Sequence, residues 1–314
     1  MGDRRDVHLG QAPPLRRGGG GLETVRDRDQ RAQLQPRPPS PRLRRQLPAL
    51  GPRRDHGARR ADRAVQQHHR RAVQRGLRLP RAGLQLSDRP AGRVPVTIEG
   101  ISVVIDAEGV AVKAATPLVV ASSALVNGGV ATADAILNVH VSKNFACAAS
   151  EAALAAFALR HGVRGSYVGL LTGAGTEKAE SAEAERGALR ARAIVTVGLS
   201  NAITAGVSPM AAWRPSTINT IVVVDADAEP AALVNALLTV TEVKTLALIE
   251  AGVKGAGGHP ATGTSTDAVV VAATGRGPRA RFGGPISDLG WVVAQAAGPA
   301  LRRGIARWLA ERSA

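Results

Sequence analysis

From residue 96 onward, apolar positions recur with two different periods, and the chain can be divided by them. Residues 97–106 are β-branched and roughly alternating, which predicts a strand; a turn at Glu108-Gly109 and a short second strand to Lys113 make the pair a hairpin. Residues 118–123 predict a further strand that runs into the Asn127-Gly128-Gly129 loop. Residues 133–141 fit both the strand and the helix period. The Ala- and Leu-rich stretch 151–161 ends at Gly162, as a helix with a glycine stop does. Strands follow over 167–172 and 192–198, separated by an acidic segment, 177–186, that reads as helix or loop.

Two later runs, 218–225 and 268–272, are continuously apolar and contain Ile221-Val-Val-Val224 and Val269-Val-Val271. Such strands are covered on both faces. Between them Glu229-Pro230 opens a long helix that continues to Gly252, with proline at a tolerated first-turn position. A last helix fits 289–312, with a break expected at Gly298-Pro299. The expected fold class is therefore α+β: a mixed β-sheet core with helices packed on the outside, for which a layered αββα sandwich is one arrangement.

Composition changes the picture for the first third. The chain of 314 residues carries a formal charge of +16. Residues 1–95 hold 23 arginines, no lysine and 8 acids, a net of +15, whereas residues 96–314 hold 18 basic and 17 acidic groups, a net of +1. All 3 Phe, 3 Trp and 1 Tyr lie in the second part. A segment so charged and so poor in large apolar groups is expected to be disordered. It is readable as a basic arm that neutralises phosphates, or as G+C-rich sequence translated from a wrong start or frame. The absence of Lys, Ile, Asn, Phe and Tyr favours the second reading, so the +16 is not evidence of a nucleic-acid partner, and 96–314 is the functional domain. No signal peptide, and no run of 18 or more apolar residues, is read in the sequence, so the expected location is the cytoplasm, without a membrane partner. A single cysteine, Cys147, excludes an intramolecular disulfide and reads as a small buried thiol.

Four polar stretches border the apolar strands: Thr196-Val-Gly-Leu-Ser-Asn201, Ser216-Thr-Ile-Asn219, Thr241-Glu-Val-Lys-Thr245 and Thr262-Gly-Thr-Ser-Thr-Asp267. The last is a hydroxyl-rich loop in which Gly263 lets successive N–H groups turn toward an anion, or else an ordinary turn satisfied by its own side chains. Asn235, Thr239 and Glu242 are spaced by four and three and so share a helix face, which either meets water, the commoner case, or lines a polar site. Lys244 points elsewhere. His140, His161 and His259 are isolated and show no metal-ligand spacing; His161 suits a helix end, and His259, beside the Thr262 loop, is the one acid/base candidate among them. Asn219-Thr220 is also readable as a self-cleaving junction yielding an N-terminal threonine, although no lysine or base stands beside it in the sequence.

Taken together and in order, these stretches resemble the adenosylcobinamide amidohydrolase family. The resemblance rests on Ser122-Ser-Ala with Asn127-Gly-Gly, Val168-Gly-Leu-Leu-Thr172, Thr196-Val-Gly-Leu-Ser-Asn-Ala202, Thr217-Ile-Asn219, Thr241-Glu-Val-Lys-Thr245 and Thr262-Gly-Thr-Ser-Thr-Asp267. It runs from about Val96 to the C-terminal helix; Val197, Ser216, Val243 and Ser265 depart from the family's usual residues and leave the polar members intact. The resemblance implies hydrolysis of the amide that joins the corrin propionyl side chain to aminopropanol in adenosylcobinamide, giving adenosylcobyric acid. It implies a small-molecule corrinoid partner and no cofactor beyond the substrate's own cobalt. Amide hydrolysis needs an activated water or hydroxyl, oxyanion donors and an acid for the leaving amine. The expected catalytic set is Glu242 or Asp267 as base, Lys244 as an electrostatic or proton-donating group, and the backbone from Thr264 to Thr266 as oxyanion donors. Asn127, Ser200, Asn201, Thr217, Asn219, Thr262 and Ser265 are expected to bind substrate. The rival reading is a corrinoid- or anion-binding module without catalysis. A chain beginning near Val94 is expected to keep full activity; loss of turnover on that truncation would give the Arg-rich segment a function.

Overall fold

The computed structural model describes residues 97–210 and 216–313. The expectation of disorder over residues 1–95 lies outside them. The hairpin forms as expected from β1 (Ile101–Ile105) and β2 (Gly109–Ser122), and its turn is fixed by Asp106 Oδ1, which accepts the N–H groups of Glu108 and Gly109 at 2.8 and 3.0 Å. β3 (Gly129–His140), the ambiguous stretch, is a strand, and α1 (Ser150–Arg160) and β4 (Tyr167–Thr172) follow it. β5 (Glu180–Arg186) and β6 (Leu189–Val197) make a second hairpin; after the short β7 (Ala202–Ile203) come β8 (Ile218–Asp225) and β9 (Asp227–Ala228). α2 (Pro230–Glu250), β10 (Gly263–Thr264), β11 (Ala268–Ala273), β12 (Arg279–Ala280) and α3 (Asp288–Ser313) complete the domain.

The main sheet runs β4-β3-β2-β11-β8-β6-β5, with β1 also on β2. It is mixed: β3 with β4 and β8 with β11 are parallel, and the other neighbours are antiparallel. Each parallel pair is joined through a helix, α1 for the first and α2 for the second, as parallel neighbours require.

The sheet closes back on itself. In a flat sheet, strands four positions apart stand about 19 Å from one another. Yet Asn138 of β3 donates to Thr196 Oγ1 of β6 at 3.0 Å, and Asn219 of β8 donates to the Leu171 carbonyl of β4 at 2.9 Å. The two halves therefore face each other across an inner core that includes Ile136, Val168 and Leu170 from one half and Ile194, Ile221 and Val223 from the other. Alternate residues point outward. On the β3–β4 half they pack with Leu154 and Phe157 of α1; on the β11–β8–β6 half they pack beneath α2 and α3. Helix, sheet, sheet, helix is the resulting layer order. The 21-residue α2 is long and apolar enough to cross a membrane by length and composition alone; here Leu233, Ala236, Val240 and Leu248 of one face are buried in the outer core.

Three expectations are corrected. The strands ending at Lys113 and beginning at Leu118 are one 14-residue strand with a bulge between those residues, where the strand changes partner from β1 to β11. The acidic segment is not helix or loop but the edge strand β5. Its Glu180 accepts from Arg303 and Arg307 of α3, and Glu183 lies opposite Arg192 on β6, so the charges are partners in tertiary structure. The final helix does not break at Pro299: α3 runs from Asp288 to Ser313, and Gln295, whose carbonyl loses its usual donor, is an exposed residue. α3 lies close on β6: a Cβ on Gly304 would stand 2.6 Å from Val197 Cγ2.

Asn138 and Asn219 carry the polar bridge between the halves, Asn219 Nδ2 also donating to Asn138 Oδ1 at 2.8 Å. Asn138→Ala leaves buried groups of Thr196 and Asn219 short of partners and is expected to cost about 2 kcal/mol. Urea unfolding checks this, and a change below about 0.5 kcal/mol, the scale of a neutral surface substitution, would remove the bridge from the account.

Candidate functional site

The parallel strands β8 and β11 begin at the same end of the sheet, in the register Asn219 opposite Ala268. The residues just before them, Thr217 and Asp267, are thereby brought together. Asp267 Oδ2 accepts Lys244 Nζ at 2.5 Å and the Thr264 N–H at 3.0 Å; Oδ1 accepts the Ile218 N–H at 2.9 Å and the Thr264 hydroxyl. The side chains of Lys244 and Asp267 are 7% and 9% exposed, so the pair is held in a largely dry layer where the mutual attraction is strong and the desolvation cost is offset by the added donors. Gly263 makes room for it, since a Cβ there would lie 2.4 Å from Asp267 Oδ2 and 3.0 Å from Lys244 Nζ.

Beside this node is a cavity of about 230 Å³ lined by Ser123, Leu125, Asn219, Thr266 and Asp267, with Leu170 and Leu171 behind. Asn219 is fixed at both ends of its amide: Nδ2 donates to Asn138 and Leu171, and Thr217 Oγ1 lies 3.3 Å from Oδ1. The same Thr217 hydroxyl is 3.5 Å from Asp267 Oδ1 and has one proton to give. Ser123 Oγ accepts the Val269 N–H at 3.0 Å, tying the end of β2 to the start of β11.

The structure thus assembles Lys244, Thr264, Thr266, Asp267, Thr217 and Asn219 in one place. It does not bring Glu242 there. That residue is exposed on the opposite side of α2, because two residues along a helix turn a side chain by more than half a circle. The polar face read through Asn235, Thr239 and Glu242 is split in fact: Asn235 and Glu242 meet water, and Thr239 is buried, donating to the Gly283 carbonyl at 3.0 Å. The two oxygens of Asp267, which offer about four lone-pair sites, already hold four donors, so the carboxylate has no position left to take a substrate's proton. The Thr264 N–H is among those donors and is not free for an oxyanion.

The remaining expected residues serve nearby loops. Asn201 donates to Ser265 Oγ at 2.6 Å, joining the loop after β6 to the one before β11. Thr262 Oγ1 accepts the Ala205 N–H at 2.9 Å. Asn127, at a φ of 55°, donates to the Tyr167 carbonyl at 2.9 Å and shapes the β2–β3 turn. Ser200 bonds Ser216 Oγ at 2.6 Å and lines a second cavity of about 150 Å³ with Lys143, Lys178, Arg307 and Arg312. His259 is exposed; Cys147 is exposed and not the buried thiol expected; His161 follows α1 with its ring 4.0 Å from that of Phe157. Asn138 and Ser123 were not expected as site residues, and Thr220 entered only through the Asn219-Thr220 junction. A lone amide inside an apolar strand run was the available signal for Asn138.

A lysine–carboxylate pair, hydroxyls and clamped amides around a small cavity on an α+β scaffold are the equipment of a hydrolytic enzyme, and comparison with known proteins identifies the bond. The sequence profile of the adenosylcobinamide amidohydrolase family matches residues 95–313, and the chain belongs to that family. It is a hydrolase acting on an amide carbon–nitrogen bond. An adenosylcobinamide amidohydrolase of Methanosarcina mazei is 30% identical over 190 residues, which cover 57% of this chain and 86% of that one. Among solved structures, the PH0078 protein of Pyrococcus horikoshii matches with a TM-score of 0.36 at 14% identity, over 65% of this chain and 82% of that one. A β-aminopeptidase of Burkholderia sp. matches with a TM-score of 0.38 at 14% identity, over 65% and 79%.

Gly263→Ala tests the node directly. The added methyl must displace Asp267 or Lys244, and a shift of that size in a site is expected to cost about 10²-fold in turnover. Amide-hydrolysis kinetics beside a thermal melt check it; near-normal turnover in a folded variant would detach the pair from catalysis.

Proposed function

We propose that the chain hydrolyses the aminopropanol amide of adenosylcobinamide, releasing adenosylcobyric acid and aminopropanol. The observation that carries this reading is the cavity closed by Asp267, Thr266 and Asn219 beside the buried Lys244. Its volume of about 230 Å³ suits the amide arm of a larger molecule better than the corrin ring itself. The ring then stays at the mouth, where Leu125, 50% exposed, offers apolar contact to its face. The amides on the corrin rim need donors and acceptors of the kind that Ser123 and Thr266 offer at the cavity. Membership of the family and the name of the Methanosarcina relative support the same substrate.

In this reading Asp267 holds Lys244, and the ammonium stabilises negative charge that develops on the amide oxygen. Thr266 serves as a donor at the same end, and Asn219 and Thr217 position the arm. No resident cofactor enters; cobalt arrives with the substrate. Release of aminopropanol from adenosylcobinamide by the purified protein tests the proposal. Binding of the corrinoid without release would instead favour a binding module. Asp267→Asn is expected to lower kcat by about 10²-fold or more, whereas the exposed Glu242→Gln should stay within about 2-fold of wild type, the scale of a surface change. The opposite order would return the base to Glu242.

A further inference from the structure

Strand β8 contains a hydroxyl that its surroundings do not use. Thr220 is fully buried, and among the described residues its Oγ1 has no hydrogen-bond partner. By the alternation of the strand it faces the same way as Ile218, Val222 and Val224, into the apolar layer under α2, and its neighbours in register, Val195 and Val269, belong to that layer. Valine has the same shape and no hydroxyl to desolvate, so a threonine here is destabilising as a packing residue and calls for another explanation. The position supplies one. Thr220 follows Asn219, whose amide is clamped on both sides and which forms a wall of the cavity. Lys244 and Asp267, distant in sequence, meet at this end of the strand, where Asp267 binds the Ile218 N–H two residues from Thr220.

We propose that the chain cleaves itself between Asn219 and Thr220, and that Thr220, as the new N-terminal residue, is the nucleophile of the amide hydrolysis. The second half of this proposal rests on the function given above. In the first step Thr220 Oγ1 attacks the Asn219 carbonyl carbon. A C–O ester bond forms, the C–N peptide bond breaks, and the hydroxyl proton passes to the departing Thr220 nitrogen. Water then cleaves the ester, leaving an Asn219 carboxylate and a free Thr220 hydroxyl and amine, with one water consumed per chain. The cut parts Thr220 from Asn219, which stays held by Asn138 and Leu171, and lets the new strand end at Thr220 turn its hydroxyl toward the cavity that Asn219 walls. The new α-amine, of a type that titrates at about pH 8, is the base that the intact site lacks. It takes the Oγ1 proton as the hydroxyl attacks the substrate amide; the amine product leaves with a proton, and water hydrolyses the acyl ester.

Denaturing intact-mass measurement of the purified full chain, shown to be folded by a cooperative melt, tests this. The expected result is two pieces, one ending at Asn219 and one beginning at Thr220, with a summed mass of the chain plus one water. Thr220→Ala should give a single uncut chain without turnover, and Thr220→Ser should still be cut. A folded wild-type chain at its uncut mass overturns the proposal; if that chain also releases aminopropanol, the amidase function stands with another nucleophile. Equal cutting of wild type and Thr220→Ala overturns it too. Two pieces cut between Asn219 and Thr220 without release from adenosylcobinamide support self-cleavage and remove the substrate.

Discussion

The carboxylate of Asp267 is the point on which the arrangement of the site depends. It joins α2 through Lys244, the start of β8 through the Ile218 N–H and the loop before β11 through Thr264. A buried ion pair is not in itself a source of stability, because the cost of drying both charges can equal their attraction. Its value here is geometric. With four donors in place the carboxylate is satisfied only in one relative position of helix, strand and loop, and that position puts Thr266 and Asn219 around a single cavity. Gly263 is the local condition for it, since any side chain at that position would occupy the space of the pair.

A second constraint holds the cavity open from the other side. The sheet must close on itself for β4 to reach β8, and the closure is fastened by amide groups within an otherwise apolar inner core. Asn219 belongs to both systems: it lies beside the ion-paired end of β8 and reaches across to Asn138 and Leu171. Cavity walls drawn from strands on both halves of a curled sheet are set by the fold as a whole and not by one mobile loop, which suits a site that must position an amide within fractions of an ångström. The two long helices lie outside, and Lys244 is the one charged residue of α2 among its buried positions.

Much of this was legible in the sequence where the relevant contacts are local or the pattern is unambiguous. The run 218–225 is a strand with those bounds, and α1 stops where Gly162 adopts a φ of 69°. What sequence could not convey was partnership over distance. The charges of β5 concealed a strand because the partners of Glu180 lie on α3, more than 100 residues later. Pro299 suggested a break because its effect depends on whether the Gln295 carbonyl can reach water, a property of the packed fold. In the site, helical spacing put Glu242 with Asn235 and Thr239 but did not say which side of α2 meets the sheet; that phase selects Lys244 and excludes Glu242. Asp267 was expected as a base, and its carboxylate holds four donors from helix, strand and loop. The Asn219-Thr220 junction lacked a lysine in sequence, and the fold brings the Lys244–Asp267 pair to its end of the strand.

The central claim is that the substrate's amide arm is bound in the cavity between the ion pair and Asn219. A crystal structure with adenosylcobyric acid tests it most directly. The account predicts the freed carboxylate of the product in that cavity, within hydrogen-bond reach of Thr266 or Lys244, with the corrin ring outside against Leu125. Product seated instead in the cavity between Ser200, Ser216 and Arg307 would contradict it.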